Sequence, residues 1–218
     1  MIDESRYKVK EIFYTLQGEG RWAGRPAVFC RFSGCNLWSG LEEDRSSAIC
    51  QFCDTDFVGH DWLSHGGVYF DCAALADQIQ EVWPKGCVAR ARPLVVFTGG
   101  EPLLQLDASL TFAVRARGFE VHVETNGTLL PPTGIDWLCV SPKAGSRLRV
   151  TSADELKLAF PQEGLQPSDI DTKLYSRLSL QPIDGAEVEH NTRLAVQYCL
   201  EHPQWTLSTQ THKQVGLR

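Results

Sequence analysis

The sequence has no run of apolar residues that approaches the roughly 18 needed for a membrane-spanning helix. Its first residues, MIDESRYKVKEIFYTLQ, are charged and alternate polar with apolar side chains, so they lack the apolar centre of a signal peptide. Internal repeats and low-complexity linkers are also absent. These absences predict a protein that has no membrane partner and acts in the cytoplasm.

The chain has fewer positive than negative side chains. It has 21 lysines and arginines and 27 aspartates and glutamates, for a formal net charge of -6. Nucleic acid is bound by a cationic face, so this balance disfavours DNA or RNA, tRNA included, as a partner. A small anionic ligand stays compatible with the composition, since a few well-placed cations are enough to bind it.

The composition is that of a globular protein, with 43% hydrophobic and 22% charged residues in a chain of 218. A chain of this length can bury a sizeable core, which excludes disorder as its main state. Length favours one domain. We predict a single domain over residues 1–218, with an irregular insertion at about residues 36–67.

Short apolar runs alternate along the chain with segments of helical periodicity. Asp71 and Asp107 each precede such a segment and carry the side chain of a helix N-cap, and Pro84 and Gly118 follow the two segments. A third helix is predicted over residues 192–200. Strands separated by helices favour a parallel sheet with helical crossovers. The predicted strands are 27–32, 94–97, 121–123, 137–140, 155–160, 178–181 and 205–209.

The chain is too short for a closed eight-stranded β/α barrel, which usually takes about 250 residues. The irregular stretch at residues 36–67 shortens the usable chain further. We therefore predict an α/β fold, a partial and open β/α barrel of about six parallel strands. In such folds the chemistry lies at the carboxyl ends of the strands. Polar or glycine-rich groups follow predicted strands at residues 33–35, 98–101, 124–126, 141–143 and 181–184.

Three of the eight cysteines, Cys35, Cys50 and Cys53, follow a predicted strand in the pattern C-x14-C-x2-C. The two sulfurs of a C-x2-C turn can reach one metal ion or one cluster. A structural zinc ion takes four protein ligands, which His60 or His65 would complete. An iron–sulfur cluster on three thiolates instead keeps one iron open for a substrate, and the spacing leaves both interpretations open. For the other five cysteines, buried thiols are the better interpretation.

Further motifs accompany the cysteines. TGGEP (residues 98–102) follows a buried strand, Phe52 precedes the last of the three cysteines, and SPK (141–143) follows another strand. In this order and at strand ends, the motifs resemble those of radical S-adenosylmethionine (SAM) enzymes. From about residue 8 to the C-terminus, the chain is similar to the 7-carboxy-7-deazaguanine synthases. The motifs that narrow the resemblance are LQGEG at 16–20, CDT at 53–55 and QTHK at 210–213.

The cysteine spacing departs from the usual C-x3-C-x2-C signature of radical SAM enzymes. The first spacer here has 14 residues, from Asn36 to Ile49. Some of the synthases that the chain resembles have a longer insertion at this place. We therefore interpret the chain as a variant with a long cluster loop.

The resemblance implies that Cys35, Cys50 and Cys53 hold a [4Fe-4S] cluster whose fourth iron binds SAM. The reduced cluster would cleave SAM to a 5′-deoxyadenosyl radical, which takes hydrogen from C6 of 6-carboxy-5,6,7,8-tetrahydropterin. The ring then contracts, ammonia is lost and 7-carboxy-7-deazaguanine forms. The implied activity is a lyase of queuosine and 7-deazapurine biosynthesis, and a Mg²⁺ ion is implied at Thr55.

The resemblance also implies the residues of the site. Arg31 suits the substrate carboxylate because a buried arginine needs an anion, although an ion pair within the protein stays open. A solvated tail position stays open for His212, as does a plain strand-ending turn for residues 181–182. Glu124 and Lys143 are candidates for proton transfer, with structural ion pairing as the alternative for Glu124. The implied SAM-binding residues are Phe52, Cys53, Asp54, Gly100, Glu101, Ser141, Pro142, Lys143, Gln181, Pro182, Ile183 and Asp184. The implied substrate-binding residues are Leu16, Gln17, Gly18, Glu19, Arg31, Thr98, His212 and Arg218.

The resemblance further implies a homodimer and a flavodoxin-type electron donor. Two other functions stay open. A radical SAM activase, which places a glycyl radical on a partner enzyme, has similar size, but the QGEG motif, Arg31 and the QTHK motif suit a small anionic heterocycle better. A zinc-stabilised binding module would use the three cysteines and a histidine. Such a protein would be colourless, whereas a [4Fe-4S] protein is brown.

Overall fold

A nine-stranded sheet is the framework of the computed structural model, which describes residues 7–85 and 92–217. Its strands are β1 (Tyr7–Leu16), β2 (Pro26–Phe32), β3 (Gly67–Tyr69), β4 (Leu94–Gly99), β5 (Glu120–Thr125), β6 (Trp137–Val140), β7 (Ala153–Phe160), β8 (Tyr175–Pro182) and β9 (Trp205–Leu207). They lie in the order β3-β1-β2-β4-β5-β6-β7-β8-β9. In the described part of the chain the two edge strands do not pair with each other, so the sheet is open.

The sheet is mostly parallel. The seven strands β2, β4, β5, β6, β7, β8 and β9 run parallel to their neighbours in that order. The strand β1 pairs antiparallel with β2, and β3 pairs antiparallel with β1. The mostly parallel, open α/β architecture is therefore confirmed, but the sheet has nine strands instead of about six. Two strands were not predicted from the sequence. In β1, charged and apolar residues alternate, and β3 has only three residues.

Three helices cover one face of the sheet, namely α1 (Cys72–Val82), α2 (Ala108–Ala116) and α3 (Val188–Glu201). Both predicted caps are confirmed, because Asp71 accepts a hydrogen bond from Ala74 N at 2.7 Å and Asp107 accepts one from Leu110 N at 2.8 Å. The third helix begins at Val188 instead of residue 192. Within the described ranges, no helix is long and apolar enough to cross a membrane.

The main apolar core lies between these helices and the sheet. Alternate strand residues point into it, since successive side chains of a strand point to opposite faces. The opposite face has a small apolar cluster of Ala27, Leu94 and Val96 near the beginnings of β2 and β4. Nearer the carboxyl ends of the strands, that face becomes polar. Its polar residues include Arg31, Thr98, Glu124, Lys157 and Gln181.

The predicted irregular insertion has little regular structure. Residues 36–67 contain two 3-10 helices, Glu42–Ser47 and Trp62–Ser64, and the segment ends where β3 begins. A fourth helix, α4 (Thr211–Gln214), is a short segment near the C-terminus. The insertion and α4 both border the polar face of the sheet, where the candidate site lies.

Candidate active site

A cavity of about 590 Å³ opens at the carboxyl ends of the parallel strands. This volume is typical of small-molecule sites. Of the predicted site residues that the structure describes, all but Glu101 and Pro142 line it; Arg218 lies outside the described residues. The predicted residues in the lining are Leu16, Gln17, Gly18, Glu19, Arg31, Cys35, Cys50, Phe52, Cys53, Asp54, Thr55, Thr98, Gly100, Glu124, Ser141, Lys143, Gln181, Pro182, Ile183, Asp184 and His212.

The long spacer between the first two cysteines closes on itself. The carbonyl oxygen of Leu37 accepts hydrogen bonds from Ile49 N at 3.0 Å and from Cys50 N at 3.3 Å. Residues 38–48 therefore form a closed loop beside the site. Because the two ends of this loop are hydrogen-bonded, Cys50 lies next to Leu37 although twelve residues separate them in the sequence. This closure explains how 14 residues between Cys35 and Cys50 still leave both side chains on one wall of the cavity.

The thiols of Cys35, Cys50 and Cys53 are close enough to affect one another's pKa. The thiols of Cys50 and Cys53 are hydrogen-bonded to each other, which raises the pKa of Cys50 and lowers the pKa of Cys53 to about 6. Burial raises the pKa of Cys35, whose Sγ accepts a hydrogen bond from Leu37 N at 3.4 Å. Thiolates are the ligands of iron–sulfur clusters, so three cysteines on one cavity wall fit such a group.

The structure does not bring His60 or His65, the two histidines considered as zinc ligands, to these cysteines. His60 and His65 do not line the cavity, and Nδ1 of His60 is hydrogen-bonded to the carbonyl of Val9 at 2.7 Å. Among the described residues, no group of three or more His, Cys, Asp or Glu side chains is arranged to hold a metal ion. A single zinc ion would need all its ligands at about 2.0–2.3 Å from one point, whereas cluster thiolates bind separate irons.

Gly100 lets the TGGEP loop approach the first cysteine. A Cβ atom at Gly100 would stand 2.2 Å from the carbonyl oxygen of Gly34 and 2.8 Å from Cβ of Cys35. Any side chain here would push the two loops apart. The glycine is therefore needed for the close packing of this loop against the cysteine loop.

The next residue, Glu101, connects two strand ends and lies outside the cavity lining. Its buried carboxylate accepts hydrogen bonds from Thr125 Oγ1 at 2.7 Å, from Asn126 N at 2.8 Å and from Leu103 N at 2.9 Å. Burial raises the pKa of this carboxyl group. Its contacts fix the loop after β4 against the loop after β5.

The SPK segment after β6 places an ammonium group in the cavity. Lys143 Nζ donates to the carbonyl oxygen and to Oγ of Ser141, both at 2.7 Å, and burial lowers the pKa of the ammonium. Pro142 lies behind the lining, where its carbonyl accepts a hydrogen bond from Gln162 Nε2 at 3.2 Å. The segment therefore offers one cation and one hydroxyl to a ligand.

Two carboxylates meet one lysine on the cavity floor, and we call these three residues the acid–lysine network. Lys157 Nζ lies 2.5 Å from Glu19 Oε2 and 2.6 Å from Glu124 Oε2. Burial alone would lower the pKa of Lys157, but the charges of Glu124 and Glu19 outweigh it and hold the pKa well above its usual range. Burial likewise opposes ionisation of Glu19, yet Lys157 lowers its pKa. The network therefore pairs a buried ammonium with two carboxylates that line the cavity.

Sequence reasoning missed Lys157, although a signal existed. The residue lies between Leu156 and Leu158 in a predicted buried strand. A buried lysine needs an anionic partner, which is the argument that singled out Arg31. Arg31 itself lines the cavity and has a protein partner, because its Nε lies 2.8 Å from Glu11 Oε1.

The C-terminal segment joins three walls of the cavity. Lys213 Nζ contacts Asp54 Oδ2 at 2.5 Å, after the last cysteine, and Asp184 Oδ2 at 2.6 Å, after β8. Gln210 Nε2 donates to Glu19 and to Asp54, both at 3.0 Å. These polar contacts connect the QGEG loop, the cysteine loop and the far wall.

His212 is packed in the cavity and is not a solvated tail residue. Thr211 N donates to the carbonyl of Gly18 at 3.0 Å, and a Cβ atom at Gly18 would stand only 2.0 Å from His212 Nδ1. The glycine of the LQGEG motif thus makes room for the imidazole. Thr55, the residue of the implied Mg²⁺ site, also lines the cavity, with Oγ1 at 3.5 Å from Asp54 Oδ1.

The fold and the site together define the class of this protein. An open, mostly parallel β/α sheet carries three cysteines, a TGGEP loop and an SPK segment around one cavity at the carboxyl ends of its strands. These are the features of radical SAM enzymes, which implies a [4Fe-4S] cluster and SAM as the reactive groups.

Comparison with known proteins gives the family. No family model matches the chain. It is 56% identical to the 7-carboxy-7-deazaguanine synthase of Bradyrhizobium diazoefficiens over 97% of this chain and 99% of that one. The same identity and coverage hold for the synthase of Caulobacter vibrioides. The crystal structure of QueE from Escherichia coli is similar with a TM-score of 0.70, 29% identity and 95% coverage of both chains. The chain belongs to the 7-carboxy-7-deazaguanine synthase family.

This membership confirms the function implied by the sequence motifs, a radical SAM lyase of 7-deazapurine and queuosine biosynthesis that acts on a small pterin. It favours neither the glycyl-radical activase nor the zinc-stabilised binding module.

Proposed function

We propose that the chain converts 6-carboxy-5,6,7,8-tetrahydropterin to 7-carboxy-7-deazaguanine, with loss of ammonia, through the residues described above. One observation carries the proposal. The three cysteines of the C-x14-C-x2-C pattern line the same cavity as Arg31 and the acid–lysine network. A site for a reactive group and a site for a small polar anion therefore share one volume.

Cys35, Cys50 and Cys53 would hold the [4Fe-4S] cluster, and SAM would bind beside it. When bound, these groups supply the 5′-deoxyadenosyl radical that abstracts hydrogen. The chain contributes binding and orientation. The Gly100 backbone is close enough to the cysteine loop to contact a ligand there, and the Lys143 ammonium is electrostatically coupled to Cys50 and Cys53. The lining residues proposed for SAM are Phe52, Asp54, Ser141, Gln181, Pro182, Ile183 and Asp184, with Glu101 and Pro142 acting from behind the lining.

The substrate would occupy the acid-rich part of the cavity. Arg31 would bind the substrate carboxylate, because its bond to Glu11 uses Nε and a guanidinium has five N–H donors. Glu19 would accept hydrogen bonds from ring N–H groups, and Gln17 would supply its amide. These contacts would orient C6 of the pterin for hydrogen abstraction. The remaining proposed substrate contacts are Leu16, Gly18, Thr98, His212 and Arg218.

Glu124 is the proposed proton-transfer residue. Its Oε1 accepts from Gln17 Nε2 at 2.8 Å and its Oε2 is paired with Lys157. These two contacts orient the Glu124 carboxylate on the cavity floor, where it can exchange a proton with the substrate. Lys143 is the second candidate, since it lines the cavity and burial lowers the pKa of its ammonium.

A Mg²⁺ ion at Thr55 is a further part of the proposal. Magnesium prefers oxygen ligands, keeps several waters and is often completed by an anionic substrate. Thr55 lines the cavity that would hold the substrate carboxylate.

The remaining assignments concern organisation. We propose that residues 1–218 act as one domain, that two chains form a homodimer and that a flavodoxin-type protein supplies the electrons. We also propose a cytoplasmic location, because the seven described cysteines are free thiols and thiols persist in reducing compartments.

Anaerobic turnover tests the function. The chain is reconstituted with iron and sulfide, reduced, and supplied with SAM, Mg²⁺ and 6-carboxytetrahydropterin. We expect mass spectrometry to detect 7-carboxy-7-deazaguanine in excess over 5′-deoxyadenosine, because loss of ammonia is redox-neutral and the hydrogen taken from the substrate is returned within each turnover. Cys50→Ala should abolish both products.

Cys199→Ala is the matched control, because Cys199 lies on α3 and outside the cavity lining. It should behave as the unmodified chain. Formation of 5′-deoxyadenosine without the deazaguanine would contradict the substrate assignment. A colourless, zinc-containing protein without turnover would contradict the cluster assignment as well.

A further inference from the structure

The closed loop of residues 38–48 reaches back to the cysteine turn through one side chain. Arg45 lies in the 3-10 helix Glu42–Ser47. Its Nη1 donates to the carbonyl oxygen of Gln51 at 2.8 Å and to that of Cys53 at 3.1 Å. These two carbonyls belong to the C-x2-C turn itself. One guanidinium from the insertion therefore contacts the backbone that sets the positions of Cys50 and Cys53.

The guanidinium is held from two further directions. Its Cζ lies 4.1 Å from the centre of the Trp38 ring, a cation–π contact. Its Nε is bonded to Glu42 Oε1 at 2.7 Å. Glu42 is 77% exposed, so water screens much of its charge. The orientation of Arg45 is therefore fixed while its positive charge stays available to the turn.

Trp38 is itself anchored to the body of the protein. The indole is buried and packs edge-on against Phe57, with ring centres 5.6 Å apart, and its Nε1 donates to the carbonyl of Leu41 at 3.1 Å. A chain of contacts thus runs from Phe57 through Trp38 and Arg45 to the cysteine turn. Through these contacts, the insertion holds the cysteine turn against the body of the protein.

We propose that Arg45 is a positioning residue for the [4Fe-4S] cluster, which it serves by fixing the carbonyls of Gln51 and Cys53 and by placing a positive charge beside the thiolates. The inference rests on the proposed function. Three thiolates bring excess negative charge to a cluster, and both nearby charge and the order of the ligand loop affect how it is held. The guanidinium also presents several donors in a rigid fork, which a lysine ammonium does not.

Competition for iron against a chelator tests the proposal on the reconstituted full chain. Loss of groups that orient metal ligands typically costs about 10–100-fold in affinity, so we expect Arg45→Gln to bind the cluster at least about tenfold more weakly. Arg45→Lys should fall between Arg45→Gln and the unmodified chain. Arg149→Gln is the matched control, since Arg149 is an exposed arginine outside the cavity lining, and it should retain iron fully.

Two further measurements separate positioning from a general structural role. The reduction potential of the bound cluster, followed by electron paramagnetic resonance, should become more negative in Arg45→Gln because a positive charge is lost. The melting temperature of the cluster-free chain should fall by no more than about 4 °C, because Arg45 is a partly exposed side chain of the insertion and lies outside the apolar core. A larger fall would overturn the positioning role in favour of a general structural one.

Iron retention by Arg45→Gln equal to that of the unmodified chain would overturn the proposal. Full retention by Arg45→Lys would overturn the role of the two carbonyl contacts. An unmodified chain that binds no cluster would instead refute the proposed function, so the two failures are distinguishable.

Discussion

Strand β5 carries two glutamates on the same face, one at each end, and their surroundings differ. Glu120, at the beginning of the strand, receives two hydrogen bonds from Arg25, at 3.1 and 2.7 Å, and its Oε1 lies 2.7 Å from His122 Nε2. Glu124, at the end, is paired with Lys157 and lines the cavity. The residue type and the face are the same, and the end of the strand is what differs.

The comparison shows how the two ends of a strand hold the same side chain differently, and why Glu124 is the one proposed for proton transfer. At the amino end the Arg25 fork occupies both oxygens of Glu120, and this contact lowers the pKa of Glu120 to about 2. At the carboxyl end the strands open into loops, so Glu124 is held by a single cation and one amide on the floor of a large cavity. Position along a parallel strand therefore separates the two roles.

The largest expected effect is on catalysis. Glu124→Gln should lower kcat by roughly 10²–10⁴-fold, the usual contribution of a general acid or base. Glu120→Gln should leave kcat unchanged, because its carboxylate lies outside the cavity lining. Anaerobic single-turnover kinetics at equal cluster content measures both. Full activity in Glu124→Gln would show that the two glutamates of β5 do not differ in catalytic importance.

The second effect is on stability at the carboxyl end. Lys157→Met should cost about 2–4 kcal/mol, since it removes a buried cation and leaves the partly buried carboxylates of Glu19 and Glu124 facing each other without it. Urea unfolding of the cluster-free chain at pH 7 measures this loss. The double variant Glu124→Gln/Lys157→Met should recover part of it, because one uncompensated carboxylate is then removed. An additive loss in the double variant would argue against a coupled network.

The third effect is smaller and concerns the amino end. Arg25→Gln should cost about 1–2 kcal/mol, because water and His122 still reach the half-buried carboxylate of Glu120. Arg149→Gln, on the exposed surface, serves as the control and should change stability by less than about 0.5 kcal/mol. A loss at Arg25 as large as that at Lys157 would mean that the two ends are equally desolvated.

The smallest effect is the pH dependence of the Glu120 pair. Its pKa in the folded chain is about 2, below the ordinary 4.5, so its stabilisation is fully present above pH 4.5 and is lost as the pH falls toward 2. Between pH 5 and pH 3, Glu120→Gln should therefore lose about 1 kcal/mol less stability than the unmodified chain. If the free energy of unfolding falls equally in Glu120→Gln and in the unmodified chain over this pH range, the assignment is contradicted.

Local signals in the sequence predicted much of the fold. The helices α1 and α2 begin after Asp71 and Asp107 as expected, because an N-cap depends only on residues within one turn. The central parallel strands were predicted within a few residues. The strand β1 was missed because its pairing is with β2 and β3, and alternation near a terminus does not by itself identify a partner strand.

The candidate site was predicted where it depends on motifs. The cysteines, the glycine-rich loop after β4 and the segments after β6 and β8 all line the cavity, since strand ends in a parallel sheet meet at one edge. The position of Glu101 behind the lining was not predictable. Its hydrogen bonds are to residues 24 and 25 positions away on another strand end, as well as to its own loop.

The sequence by itself determined the local features: helix caps, apolar strands, the cysteine spacing and the motifs that mark the family. Only the tertiary structure decided the charges of the cavity floor. Lys157 meets Glu124 across 33 residues and Glu19 across 138. It decided also that the 14-residue spacer closes at Leu37 and that Arg45 reaches the cysteine turn. Such contacts depend on strand register and loop closure, which bring distant residues together only once the sheet is assembled.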